Sequence, residues 1–333
     1  MGSKEIGGIL LAKSSALVIL LNLLFLYVGT TQGEEWHWPV YVKSTQPVLN
    51  QRPSRDGAKV WESTNLIIVE ELDLSRAILG QCVQTMDSLP RLMQQLSLPL
   101  WAPPKAKKAV VRICKNEVSF SKQGGPAGAA GCYDPRSGDI LIRGDFLLKP
   151  PHSQTSRLPN SLDEDLLVHE LCHQAMHQYI GVLPAWLSEG IAEYFAACHT
   201  SRGNYDFSHS NRFIKQHIWK YYPRKNNPTL KLPPLEILVS EGQRNWIKTN
   251  QALQARDRYR WYAASLLLVH YYLEGGDARR DELTAYLVKA KTQRGRQALE
   301  PLLKDTEMIE KRLVAFWKKS AFSLDFTFTP IRE

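Results

Sequence analysis

Two histidines four residues apart, His169 and His173, flank a glutamate, Glu170, in the stretch VHELCHQAMH from Val168 to His177. On a helix each residue turns by about 100°, so the two imidazoles lie about 40° apart on one face, with Glu170 on its neighbouring edge. Both imidazoles can then reach one ion. This is the HExxH pattern, in which two His nitrogens bind zinc at about 2.0–2.1 Å and the glutamate handles a proton on the water that the ion holds. The pattern by itself is weak, because two histidines and a glutamate at fixed spacing arise by chance in on the order of one chain per hundred. A third protein ligand has to come from elsewhere, and a carboxylate is the usual complement in hydrolytic sites.

The segment PAWLSEGIAEYFAAC, Pro184 to Cys198, supplies it. Gly181 suits the end of one helix and Pro184 the first position of the next. With the turn centred near Val182, His173 stands nine residues before it and Glu189 seven after. At a rise of about 1.5 Å per residue the two reach similar heights in an antiparallel pair, so Glu189 can close the site. Glu193, one turn further and opposite His169, is placed to accept a hydrogen bond from the imidazole nitrogen that does not bind the ion. Gly190 and Ala192 are small enough to let the two helices approach closely.

HELCHQ followed by LPAWLSEGIAEYF resembles the gluzincin metallopeptidases, whose third zinc ligand is the Glu of an N/S-E-G/A segment on the helix after HExxH. It is most similar to the bacterial peptidase-MA-like proteins of unassigned substrate. The resemblance is specific over Leu166 to Phe195 and rests on the order of elements over Asn65 to Asp145. It implies an α+β, zincin-like fold, with a small twisted sheet over the active-site helix and a helical C-terminal part. It implies one Zn2+ per chain on His169, His173 and Glu189, with Glu170 as general base and Glu193 as the acid behind the ligands. The linker between His173 and Glu189 is shorter than in thermolysin-like enzymes, which bears on the substrate cleft more than on the ion site.

Gluzincins also bring a Tyr or His donor from the C-terminal helices to the oxyanion formed during hydrolysis. In YRWYAASLLLVHYYL the candidates are Tyr259, Tyr262, His270, Tyr271 and Tyr272. Tyr262, just before a run of small residues, best matches the family's Tyr-led helix; an ordinary amphipathic aromatic is the alternative. The function implied is an exported zinc metallopeptidase acting on a peptide or protein substrate. The alternative is a zinc-binding, non-cleaving peptidase-like scaffold at the cell envelope, against which the intact Glu170 argues, because holding metal alone does not require it. His177, about 12 Å along the axis from His169, reads as a structural polar residue. Cys172 reads as core, and Trp186, Leu187 and Tyr194 as packing.

The surrounding elements must position these residues. NLIIVEEL from Asn65 reads as a strand, Ser75 to Leu96 as a helix, AVVRI from Ala109 as a buried strand, and the Asp134-Pro135 to Ser137-Gly138 stretch as a turn between two extended arms. The arm Gly128 to Tyr133, short of bulky side chains, is a candidate edge strand to which a peptide adds by backbone hydrogen bonds, with a plain hairpin as the alternative. Ser161 and Glu164 match a capping box that starts the HExxH helix. Residues 62–200 thus form an α+β subdomain and 201–333 a mainly helical one, with helices at Arg258–Leu273, Asp281–Lys291 and Glu307–Lys319. Residues 34–61, rich in Trp, Pro and polar residues without periodicity, read as a linker.

Residues 1–33 contain the apolar run Ala16 to Gly29. Its length is that of a signal-peptide core; joined across Lys13 to Gly7–Leu11 it becomes a retained anchor with membrane association. Either reading puts the body outside the cytoplasm, whether periplasmic, secreted or membrane-anchored. Export permits disulfides, and Cys114 and Cys132, at the ends of adjacent strands, are placed to bridge; the alternative is that all five cysteines are small buried residues. The net charge of +9 is scattered among acids, as at Lys105, Lys107, Lys108, Arg279, Arg280, Lys318 and Lys319, which reads as solvated faces and not as a nucleic-acid surface.

Overall fold

The computed structural model describes residues 41–104, 108–149, 161–222, 229–292, 300–320 and 322–329. The apolar run Ala16–Gly29 lies outside them. A short strand β1, Tyr41–Val42, pairs with Asn204–Asp206. Six further strands form one mixed sheet: β2 Asn50–Arg55, β3 Ala58–Glu62, β4 Leu66–Glu70, β5 Ala109–Cys114, β6 Gly131–Asp134 and β7 Asp139–Arg143, in the order β2-β3-β4-β5-β7-β6. β4, β5 and β7 run parallel, and the outer pairings are antiparallel. Along β4 the residues alternate between buried and half-buried, the period-2 signature of a strand with one face on the core.

The stretch expected to serve as a linker differs from that reading, since its second half supplies β2 and β3. β3 pairs with β4 in the register Val60↔Val69, and β2 pairs outside it. Every residue of β2 is exposed, so it carries no apolar alternation to betray a strand. Its order comes from backbone pairing with β3. The β6–β7 hairpin turns as expected, with Gly138 at φ +78° and its amide donating to the Asp134 carbonyl at 2.8 Å.

Helix α1, Arg76–Gln95, connects β4 to β5 and is capped by Ser75 Oγ, which accepts from the Ile78 amide. Helix α2, Glu164–Ala175, carries the HExxH residues and lies against α1, β6 and β7. Its start corrects the capping-box expectation. Ser161–Leu162 pairs as a strand with Leu148–Lys149, and Asp163 takes the N-cap. Glu164 accepts instead from Thr85 Oγ1 and the Arg202 amide, so tertiary partners replace the local box. After α2 the chain makes a 3₁₀ turn, His177–Tyr179, passes Gly181 at φ +78°, and enters helix α3, Ala185–Cys198, with Pro184 at its N-cap.

Besides short helices at Glu117–Lys122, Gly144–Leu147 and Leu235–Ser240, the described residues form α4 Ser210–Tyr221, α5 Gln243–Ala252, α6 Ala255–Glu274, α7 Asp277–Thr292 and α8 Thr306–Lys319. The protein is thus a mixed sheet followed by a helical part, and both belong to one compact unit, Pro39–Glu333. α6 is buried almost all round from Arg260 to Leu273, as a helix enclosed by others must be, and its main neighbour is α3. Gly190 explains the closeness of that contact, because a Cβ there would stand 2.5 Å from the Ser265 carbonyl oxygen. The small residue serves the α3–α6 contact, not the α2–α3 contact expected from the sequence.

All five cysteines are free thiols. Cys114 and Cys132 pack with Phe120 and Leu141 in one apolar cluster and do not form the candidate bridge. Among the described residues no helix is long and apolar enough to cross a membrane.

Candidate metal centre

Helices α2 and α3 lie side by side and bring five of the sequence-expected residues together, His169, Glu170, His173, Glu189 and Glu193. His169 Nε2 and His173 Nε2 are 3.2 Å apart, and Glu189 Oε2 lies 3.2 Å from the first and 3.5 Å from the second. Donors bound to zinc at about 2.0–2.1 Å in a tetrahedron are separated by about 3.3–3.4 Å. The trio therefore has the dimensions of one face of such a tetrahedron. Two imidazole nitrogens and a carboxylate oxygen at this spacing, largely out of water, present converging lone pairs that repel one another unless a positive charge sits between them.

Each histidine is held from behind. His169 Nδ1 lies 3.1 Å from Glu193 Oε1, and His173 Nδ1 lies 3.3 Å from Ser188 Oγ. With Nδ1–H donating to Glu193, His169 Nε2 is the nitrogen that faces the convergence point, where it offers a lone pair to an ion or, when protonated, a hydrogen bond to Glu189. Glu193 in turn reaches His217 of α4, Oε2 to Nε2 at 2.7 Å. His217 Nδ1 stands 3.6 Å from Asp165 Oδ2, which accepts from Lys220 Nζ at 2.5 Å. A chain of alternating charges thus runs from the back of His169 to Lys220.

The electrostatics match this geometry. Burial would lower the His169 pKa, yet hydrogen bonds to Glu189 and Glu193 raise it well above the ordinary value, so the surroundings favour positive charge at this point. Burial would raise Glu189, but the charge of His173 and a hydrogen bond from His169 hold it far below the usual carboxylate range. Glu193 behaves alike: burial opposes ionisation, and hydrogen bonds from His169 and His217 bring it down to about 2. His217, whose burial would lower it, is lifted to about 9 by Asp165 and Glu193.

Glu170 is buried beside the trio and contributes no atom to it. Burial raises its carboxyl above the ordinary value, with His169 and His173 partly offsetting that rise. It sits against the edge strand β6. A Cβ on Gly131 would stand 3.0 Å from Glu170 Cγ and Oε1, so the backbone there approaches the carboxylate closely and a side chain would press on it. Tyr262 of α6 packs its ring 6.2 Å from that of His169 and 5.8 Å from Trp246. Burial, then the charges of Glu189, Glu193 and Glu170, raise its hydroxyl well above 10, so it remains a proton donor. These groups line a cleft of about 310 Å³ whose other walls include Gly131 to Tyr133 of β6, and Asn250 and Arg258.

Residues set aside in the sequence have other tasks. His177 Nδ1 bonds Tyr133 Oη at 2.7 Å, outside the ion trio. Cys172 is buried and burial pushes its thiol up. Trp186 and Leu187 are core, and Tyr194 donates to Glu274 at 2.5 Å. Of the other tyrosines and the histidine on α6, Tyr259 lies against Tyr221 and His217, Tyr271 meets Arg312, and Tyr272 and His270 are buried in packing.

Several residues of the site escaped the sequence reading. Ser188 is adjacent to Glu189, and Asp165 precedes His169 by one turn of α2, so helical spacing held a signal for both. His217, Trp246, Asn250 and Arg258 come from distant elements whose approach no local pattern records. No protein-family model matches this chain, and no curated protein matches it in sequence.

Proposed function

We propose that this protein is a zinc-dependent metallopeptidase with a zincin-like fold. The observation that carries the reading is the spacing of His169 Nε2, His173 Nε2 and Glu189 Oε2, 3.2 to 3.5 Å apart, with the buried Glu170 carboxylate alongside and not among them. A zinc ion bound there supplies Lewis acidity, lowering the pKa of a water toward about 7 and polarising a carbonyl. Glu170 takes a proton from the attacking water and returns it to the leaving amine, a task suited to a carboxyl raised by burial. Tyr262, protonated and with its ring tilted 6.2 Å from that of His169, donates to the oxyanion that develops on the scissile carbonyl. Glu193 and Ser188 hold the imidazoles in orientation. A substrate peptide lies extended along the edge of β6, which among the described residues pairs with β7 on one side. The apolar run Ala16–Gly29 supports export of the chain, as a signal peptide or an anchor.

The test is a pair of measurements on the full chain. Metal analysis is expected to find one zinc per wild-type molecule, reduced in Glu189→Ala. Glu170→Gln keeps shape and zinc but removes basicity, so cleavage of a peptide library is expected to fall by at least about 10²–10⁴-fold. A Gln variant that cuts as fast as wild type overturns the role given to Glu170.

A further inference from the structure

Three arginines follow one another at alternate positions near the start of α6, and they face different surroundings. Arg260 donates to Asp257 at 2.9 Å and to the Lys231 carbonyl, and Arg256 lies over the ring of Tyr222. Arg258 lines the cleft. Its Nη2 donates to the Leu253 carbonyl at 3.2 Å, while its Nε is buried without a hydrogen-bond partner. Among the described residues it makes no ion pair, since the adjacent Asp257 is engaged by Arg260. In the same wall Asn250 Oδ1 is also buried and unpartnered.

A half-buried guanidinium loses part of its hydration, and one that lines a cleft with a donor left unused by the fold gains from an anion that enters beside it. A carboxylate matches the planar fork with two parallel hydrogen bonds, which are the stronger, charge-assisted kind. Arg258 stands one helical turn, about 5.4 Å, before Tyr262. The Tyr262 hydroxyl senses Glu189, Glu193 and Glu170 together with Arg258. An extended peptide advances about 3.3 Å per residue, so a carboxylate on Arg258 stands about one or two residues from a carbonyl beside Tyr262.

We infer that Arg258 selects ligands carrying a carboxylate one or two residues from the scissile bond, either the α-carboxylate of a peptide's C-terminus or an acidic side chain. The cleavage position rests on the metallopeptidase reading; the recognition of carboxylate does not. Arg258 is a specificity residue in this scheme, with no part in the proton transfers.

The experiment is calorimetric titration of the full chain, zinc-loaded and chelator-treated, with N-acetyl-leucine and N-acetyl-leucinamide, and with the α-amides of N-acetyl-glutamate and N-acetyl-glutamine. The wild type is expected to prefer the acid to its amide by about tenfold or more in at least one pair, and which pair responds distinguishes a C-terminal from a side-chain carboxylate. Arg258→Gln is expected to abolish that preference with zinc content unchanged. Arg258→Lys, which keeps the charge and loses the fork, is expected to retain it in reduced form and serves if the Gln variant does not fold. Equal binding of acid and amide by the wild type, or a preference that survives in Arg258→Gln, overturns the inference. A preference seen without any peptide cleavage upholds it while defeating the peptidase reading, and cleavage without a preference does the reverse.

Discussion

His169 and His270 are both histidines on helices inside the same fold, yet their surroundings drive them in opposite directions. His270 is 2% exposed, lies against Phe316 and Trp317, and leaves Nε2 without a hydrogen-bond partner. Burial alone acts on it and depresses its pKa to about 3. His169 suffers the same burial, but carboxylates from α3 meet both of its nitrogens and raise its pKa well above the ordinary value. The difference teaches that burial alone does not set a histidine's charge; carboxylates that over-compensate burial separate His169 from His270 and make it the candidate for a functional role. One environment keeps a neutral ring as packing material, and the other is built to hold positive charge.

The largest expected effect separates the two directly. His169→Ala is expected to take zinc from one per chain toward none, read by metal analysis, whereas His270→Phe is expected to leave the stoichiometry at one. Equal loss in both variants breaks the comparison. A smaller effect tests the carboxylate behind the ligand: Glu193→Gln leaves the ion trio intact but weakens the hold on His169 Nδ1, and zinc affinity measured by chelator competition is expected to fall about 10–100-fold. An unchanged affinity means that the Glu193 contact does not orient the ligand.

The smallest effect concerns stability and acid. The folded His270 titrates near 3 and the unfolded chain's near 6.5, so between those values the unfolded state binds more protons and stability falls as the pH is lowered. From pH 7 to pH 5 this one group costs about 2 kcal/mol. His270→Phe is expected to unfold within about 1 kcal/mol of wild type at pH 7. Denaturant melts at pH 5 are then expected to show a smaller acid loss in the variant by about that 2 kcal/mol. Identical acid losses mean that His270 is hydrated or hydrogen-bonded in solution.

Much of the centre was legible in the amino-acid sequence because it is local. The spacing of His169, Glu170 and His173 defines one helix face, and the short turn through Gly181 and Pro184 sets the height of Glu189 and Glu193 on the next helix, so periodicity and chain geometry suffice to align them. The helices α1, α3, α6 and α8 and the β6–β7 hairpin were readable for the same reason. Where local pattern competes with tertiary partners, the pattern loses: Ser161 joins a strand and not a cap, β2 and β3 order a stretch without periodicity, and Gly190 makes room for α6. Only the tertiary structure joins His217 to Glu193 and aims Arg258 into the cleft, because hydrogen bonds between residues far apart in the chain leave no mark in the spacing of either. Sequence determined which groups can meet an ion; the packing of α4 and α6 against α3 decided what stands behind them and what faces them across the cleft.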